Sequence, residues 1–250
     1  MNGKVALITG ASSGIGAGVA ERFAELGCRL ALTGRDADRL LAVGKRCQDR
    51  GLSDSDVLLV VADMTIDADI DRIFNETIDR FGRLDILINN AGRPAKSRIC
   101  ELDMDFFDMV MRLNLRSVIY LSKLAIPYLK ESKGCVVNTS SVASKTTCDY
   151  NPTYTISKAA LDQFTKSFAV EMGPFGVRVN SVNPGVILTP LYSLLGKSDE
   201  QVIEWSKSMH PIGRHGTVNE VVKATEYLVS DAARCVTGAL MSIDGGRFLM

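Results

Sequence analysis

Tyr154 and Lys158 stand four residues apart in a segment of helical character, Thr153 to Met172. That spacing puts both on one helix face, about 6 Å apart along the axis. Many such pairs are only a solvated helix face. As chemistry, a phenol with a pKa of about 10 is a poor proton donor or acceptor near neutrality. Bringing it to neutrality takes roughly 4 kcal/mol, and a close, partly desolvated ammonium can supply much of that. Tyr154 would then give a proton to a carbonyl being reduced, or take one in reverse. Ser141 ends a strand in Asn138-Thr139-Ser140-Ser141, where a hydroxyl can hold a substrate oxygen as charge develops; Ser140 is its rival. Asn114 lies within a long helical segment, Asp105 to Tyr128. Asparagine is unfavourable there by propensity, so it invites a local role: binding a water that links Lys158 to solvent.

These side chains need a scaffold, and the chain supplies one by alternation. Short, nearly continuous apolar runs recur at Val5 to Thr9, Arg29 to Thr33, Val57 to Val61, Leu84 to Ile88, Cys135 to Thr139, Val177 to Val182 and Leu240 to Ile243. They read as buried parallel strands. Helical periods lie between them; Ile15, Val19, Ala20, Phe23 and Leu26 share one face, and Gly27 follows as a cap. This pattern predicts a single α/β domain over 1–250, a Rossmann-type doubly wound parallel sheet of about seven strands with helices on both faces.

The first strand runs into Thr9-Gly10-Ala11-Ser12-Ser13-Gly14-Ile15-Gly16. Gly10 lets the chain turn off the strand, Gly14 leaves room for a pyrophosphate at the helix N-terminus, and Gly16 lets helix and sheet pack closely. Three glycines at such a turn can also be packing alone, but their place after the first strand of a βαβ series points to a dinucleotide. The second strand ends Leu32-Thr33-Gly34-Arg35, with glycine where NAD sites usually carry a carboxylate and with an arginine suited to a 2′-phosphate. Asp36 either caps the next helix or reaches the ribose. Asn89-Asn90-Ala91-Gly92 follows the fourth strand, where asparagine can bond nearby backbone and Ala91 and Gly92 leave bare main chain for a ligand.

Composition removes other classes. The 250 residues carry 29 basic and 29 acidic side chains, so the chain lacks the charge of a nucleic-acid binder. No apolar run is long enough to span a membrane, and no leader is evident, which places the protein in the cytoplasm. The six cysteines lack C-x-x-C spacing. The two histidines, His210 and His215, read as loop residues, and no metal site is expected.

Together these residues resemble the classical short-chain dehydrogenases/reductases, over essentially the whole chain: Thr9-Gly10-x-x-x-Gly14-Ile15-Gly16, Asn89 to Gly92, Asn114, Ser141, Tyr154-x-x-x-Lys158, and Pro184-Gly185 with Thr189. The resemblance implies Asn114, Ser141, Tyr154 and Lys158 as the catalytic set, with Ser141 favoured over Ser140 because the family's serine lies thirteen residues before its tyrosine. It further implies that Tyr154 and Lys158 contact the cofactor, Lys158 through the nicotinamide ribose. Gly10, Ser12, Ser13, Gly14, Ile15, Gly16, Arg35, Asn90, Ala91 and Gly92 would hold the cofactor from the first strands. Asp63 falls near the adenine, and Pro184, Gly185, Ile187 and Thr189 at the nicotinamide amide. Ser13 departs from many NADP-preferring members, which carry a basic residue there, leaving Arg35 to recognise the phosphate. The implied activity is an NADP(H)-dependent carbonyl reductase acting on a small molecule. An NAD-dependent dehydrogenase of a hydroxylated lipid, steroid or sugar is the nearest alternative, and a non-catalytic dinucleotide-binding regulator is the alternative of another class.

Residues 191–213, with Tyr192, Leu194, Leu195, Trp205 and Met209, read as a substrate lid. Arg93, Ser144 and Tyr150 are further candidates to face the substrate. The two long helical segments, Asp105 to Tyr128 and Thr153 to Met172, carry more apolar residues than one buried face needs. That surplus, with the family's habit, predicts a homo-oligomer, a tetramer rather than a dimer.

Overall fold

The computed structural model describes residues 1–147 and 151–250. One seven-stranded sheet runs β3-β2-β1-β4-β5-β6-β7, every pairing parallel. Its strands are β1 Val5–Thr9, β2 Arg29–Gly34, β3 Val57–Val61, β4 Ile86–Asn89, β5 Cys135–Thr139, β6 Arg178–Pro184 and β7 Leu240–Ile243. The central strands are apolar on both faces because both are covered. From β1, Ala6 and Ile8 join Phe23, Leu30 and Leu228 in one core, while Val5 and Leu7 join Ile73, Leu121 and Val179 in the other. The helices α1 Gly14–Glu25, α2 Ala37–Asp49 and α8 Val218–Val229 cover the first core, and α3 Asp67–Phe81, α5 Ser117–Ser132 and α6 Pro152–Met172 the second.

Several boundaries differ from the sequence reading. Leu84 is buried but precedes β4, which begins at Ile86; just before it the Asp85 amide donates to the Val5 carbonyl at 3.0 Å, while the Asp85 carboxylate accepts the Val5 amide at 2.8 Å and chelates Arg83. β6 runs on to Pro184, which pairs in register with Ile243. The long helix expected from Asp105 to Tyr128 is instead α4 Met104–Met111, a π-helical turn Arg112–Arg116 and α5. The residue that interrupts the α-helix is Asn114, fully buried at the centre of the turn. π-turns often mark functional positions. Asp36 caps α2, accepting the Arg39 amide at 3.0 Å. Between β6 and α8 lies α7 Asp199–Met209, opened by a Ser198/Gln201 capping box.

Candidate active site

β1 lies between β2 and β4, so the strand order reverses beside it and a crevice opens at the carboxyl ends of β1 and β4. The glycine turn sits there. Gly10 and Gly14 both have positive φ, at 65° and 57°. A side chain at Gly16 would drive into the Gly10 carbonyl and come within 2.5 Å of Asn90 Nδ2. Asn90 explains the tightness. Its Nδ2 donates to the Thr9 and Gly10 carbonyls at 3.0 and 3.1 Å, while the Asn90 and Ala91 amides donate to Thr9 Oγ1, both at 3.0 Å. The end of β4 is thus stitched to the turn after β1. Ser13, the residue before α1, makes no side-chain cap bond, so it leaves the first amides of that helix available to an anion.

A Cβ on Gly34 would meet Ser12 Oγ at 2.9 Å, so a carboxylate side chain there would displace Ser12. Arg35 follows, about two-thirds exposed, with a loose 3.7 Å ion pair to Asp63. Asp63 is itself anchored by the Thr65 amide and hydroxyl, each at 2.8 Å. Arg39, one turn along, also lines the crevice and pairs with Asp36 at 3.1 Å.

At the other end Lys158 is buried and donates Nζ to the Thr139 carbonyl at 2.8 Å. Burial pushes its ammonium down to about 8, opposed by the nearby Asp162 carboxylate. Nζ lies 5.7 Å from the Tyr154 ring centroid. Desolvation raises the Tyr154 phenol, and a hydrogen bond with Ser141 pulls it back. In the protein alone desolvation is the larger influence, and it favours the proton-bearing phenol. The two serines have different duties. Ser140 Oγ donates to the Lys158 carbonyl at 3.3 Å, whereas Ser141 faces Tyr154 and accepts the Ala143 amide. Asn114 Nδ2 donates to the Arg93 carbonyl and Ser157 Oγ, and its Oδ1 accepts the Arg93 amide at 2.9 Å. A Cβ on Gly92 would sit 3.2 Å from Asn114 Oδ1 and 3.5 Å from Lys158 Nζ, so both polar groups converge over that bare glycine.

One cavity of about 820 Å³ joins the two ends. Gly10, Ser12, Ser13, Gly14, Ile15, Arg35, Asp63, Asn90, Ala91, Gly92, Ser141, Tyr154, Lys158, Pro184, Gly185, Ile187 and Thr189 all line it. Gly16 and Asn114 do not; they act from behind, through Gly10 and Asn90 and through Arg93 and Gly92. Of the further candidates, Arg93 lines the cavity, while Ser144 turns away to donate to the Ser141 carbonyl and to bond Asn183; Tyr150 falls outside the described residues. In the lid segment Leu191, Tyr192, Leu194, Leu195 and Trp205 line the cavity and Met209 does not.

Sequence reasoning missed three features. His210 is a loop histidine, just past the end of α7, but a buried one that acts as a clasp: Nε2 accepts the Val186 amide at 3.0 Å, and Nδ1 meets the Arg214 carbonyl at 2.6 Å. A Cβ on Gly185 would lie 2.8 Å from Nε2. Asp162 and Asn183 form a buried pair, with Asn183 Nδ2 at 3.1 and 2.9 Å from the carboxylate oxygens and 3.2 Å from the Ser141 carbonyl. The i,i+4 step from Lys158 to Asp162 was the readable signal. The cavity is also rimmed by Lys96, Lys197 and Arg247, which nothing in the local sequence singles out. No group of three or more metal-ligating side chains occurs among the described residues.

A family model described as enoyl-(acyl carrier protein) reductase matches residues 10–247. L-Fucose dehydrogenase of Bos taurus is 36% identical over 248 residues, covering 98% of this chain and 89% of the relative. A short-chain dehydrogenase/reductase of unknown function from Caenorhabditis elegans, solved with cofactor, superposes with a TM-score of 0.93 at 34% identity, covering 100% and 96% of the two chains. A 3-ketoacyl-(acyl-carrier-protein) reductase from Brucella melitensis complexed with NADH superposes with a TM-score of 0.89 at 30% identity, covering 99% of each.

Proposed function

The chain belongs to the classical short-chain dehydrogenase/reductase family of oxidoreductases, and from that premise we propose that it is an NADPH-dependent carbonyl reductase, reversible as an alcohol dehydrogenase. The observation that carries this reading is one cavity with Tyr154, Ser141 and Lys158 at one end and Arg35 at the other. The residues present fit a nicotinamide dinucleotide: bare glycines at 10, 14 and 34, uncapped amides at the start of α1, and Arg35 and Arg39 at the ribose end. Bound there, the cofactor supplies or accepts the hydride.

The chain's own groups manage the proton and the orientation. Ser141 holds the substrate oxygen beside Tyr154, whose hydroxyl gives its proton to that oxygen as the carbonyl becomes an alcohol. Lys158 sits close enough to stabilise the phenolate left behind. With a pKa near 8 it can also pass a proton inward. Asn114, with Gly92, holds the water through which that proton returns. Asp63 serves the adenine, while Pro184, Gly185, Ile187 and Thr189 hold the nicotinamide amide, Lys158 its ribose. The whole span 1–250 acts as one dinucleotide-binding and catalytic domain, with 191–213 as its lid.

NADH is the second reading, favoured by Ser13 at a position without a basic side chain and by the NADH in the Brucella relative. The L-fucose dehydrogenase relative keeps a sugar hydroxyl among the substrates to try. The intact catalytic set speaks against a non-catalytic regulator. Exposed apolar side chains on the two long helices, Ile119, Ile156 and Val170, and at the C-terminal end, Leu249 and Met250, support a homotetramer. Buried thiols such as Cys28 and Cys47, pushed up to about 11 and 12 by desolvation, suit a reducing cytoplasm. Among the described residues no helix is long and apolar enough to cross a membrane. The deciding assay follows cofactor absorbance with NADPH and NADH against a panel of ketones, aldoses and secondary alcohols. Turnover that prefers NADPH supports the proposal, turnover confined to NADH replaces it, and no turnover with either cofactor favours the regulator.

A further inference from the structure

The charges around the cavity are segregated. Its two acidic lining residues, Asp36 and Asp63, both belong to the ribose end, each paired to an arginine there. Arg93, Lys96, Lys197 and Arg247 line the cavity as well, and among the described residues none of the four has a carboxylate partner. Elsewhere the chain pairs its arginines freely: Arg22 with Glu226, Arg46 with Glu21, Arg83 with Asp85, Arg214 with Glu220. Unpaired cations gathered around one low-dielectric cavity repel one another, a cost that an anion in their midst removes.

Two further observations point the same way. Arg93 is half-buried, and among the described residues its Nε is shielded from solvent with no acceptor, while its guanidinium meets the Phe106 ring at 5.0 Å and Met109 Sδ at 3.5 Å. A buried guanidinium N–H without an acceptor is costly, and a bound oxyanion supplies one. Arg93 also follows Gly92, with its main chain fixed by Asn114, so it starts at the catalytic end. On the lid side, Lys197 Nζ lies 5.2 Å and Arg247 5.4 Å from the Trp205 ring centroid, with Tyr192 set edge-on at 6.1 Å. The aromatic faces stabilise and hold these two cations without neutralising them.

We propose that the substrate carries an anionic group, a carboxylate or a phosphate, on the same molecule as its carbonyl or alcohol, and that Arg93, Lys96, Lys197 and Arg247 receive it. This rests on the hydride-transfer reading above. In the reducing direction the carbonyl carbon gains the hydride of the nicotinamide cofactor and its oxygen gains the Tyr154 proton, while the anionic group passes through unchanged.

The test uses matched pairs: 4-oxopentanoate against its methyl ester for a carboxylate, and dihydroxyacetone phosphate against dihydroxyacetone for a phosphate. Each is assayed for cofactor oxidation and titrated against the fluorescence of Trp205, the one tryptophan in the sequence. The anionic member of at least one pair is expected to be favoured about tenfold or more in kcat/KM and to perturb Trp205, with a preference that falls as salt rises. Which pair responds tells carboxylate from phosphate. In Lys197→Met and Arg247→Met the preference ratio should drop about tenfold each, with the NADPH Kd from nucleotide fluorescence unchanged. Turnover of the neutral members as good as that of the anions overturns the inference and leaves the dehydrogenase reading standing. A parallel loss of NADPH affinity in both variants also overturns it, because the cations would then serve the cofactor's own phosphates. No turnover of any compound with either cofactor sinks both readings together.

Discussion

On the strand-end side of the cleft, position is set by main chain. Thr9, Gly10, Asn90 and Ala91 are tied together through backbone amides and carbonyls, and Gly10 and Gly16 are there because a Cβ would collide. On the lid side, position is set by side chains: His210 clasps Val186 and Arg214, Trp205 gathers Lys197 and Arg247, and Tyr192 leans on Trp205. The first arrangement, where the proposed cofactor would lie, tolerates almost no variation. The second can change its occupant by exchanging a few side chains, which suits the part of a site that chooses a substrate.

The sharpest way to break this comparison is at its catalytic junction. Tyr154→Phe keeps the ring and removes the proton donor, so kcat should fall by about 10²–10⁴-fold while NADPH binding stays close to that of the parent. Stopped-flow turnover beside a nucleotide fluorescence titration measures both. Near-normal turnover would take Tyr154 out of the chemistry.

Lys158→Met tests what the strand-end side spends on its buried charge. The ammonium is depressed from its usual 10.5 to about 8, a penalty of about 3 kcal/mol at neutral pH, of which the loss of the bond to the Thr139 carbonyl returns about 1 kcal/mol. The variant should therefore unfold about 2 kcal/mol harder than the parent, although turnover collapses. The sign is checked by pH. Because the folded value lies below the unfolded one, the parent gains stability as pH climbs from about 8 towards 10.5, and the gap between the two proteins should narrow there. Denaturant melts at pH 7 and pH 9.5 decide it; a less stable variant at pH 7 contradicts the buried-charge argument.

Arg35→Ala tests the ribose end. Its ion pair with Asp63 is long and exposed, so the free protein loses little. A charge-assisted contact to a 2′-phosphate is worth about 1.5–3 kcal/mol, so NADPH should weaken roughly 10- to 100-fold and NADH hardly at all. Isothermal titration with both nucleotides measures the difference. Equal losses would mean that Arg35 reads something common to both.

The same contrast explains what the sequence disclosed. The seven strands were readable because strands covered on both faces are continuously apolar, and Gly10, Gly16 and Asn90 were readable because close main-chain packing admits few residue types. Boundaries were less visible: β4 begins only at Ile86 although Leu84 is already buried, and the π-turn at Asn114 divides the long helical segment. Asn114 was found as a propensity anomaly, and the helix broke at that residue. His210 was readable as a loop position, and it follows α7 as one, but its burial was not visible in that composition. Its burial depends on Val186 and Asp244, 24 and 34 residues away. The cations Lys96, Lys197 and Arg247 were invisible for the same reason. They converge only through tertiary folding, from three separate segments, and none sits in a pattern of its own.

The smallest predicted effect sharpens the lid side. His210 is buried and must be neutral, since Nε2 accepts from Val186 while Nδ1–H donates to the Arg214 carbonyl. Burial holds its pKa below the ordinary 6.5. Arg247 and His215 push the same way, against the Arg214 carbonyl and Asp244. A protonated ring would present an N–H to the Val186 N–H and release the segment that follows Pro184 and Gly185. With the folded value below the unfolded one, the unfolded chain takes up the proton first. The contribution is therefore complete above pH 6.5 and is lost as pH falls from 6.5 towards the folded value, by at most about 1.4 kcal/mol per pH unit. Thermal unfolding of the parent and of His210→Gln, followed from pH 8 to pH 5.5, isolates the effect. The Tm of the parent should fall faster with acid than that of the variant, by a few degrees, and cofactor affinity should weaken in the same window only in the parent. Parallel Tm curves for the two proteins would show that the clasp does not depend on a neutral ring.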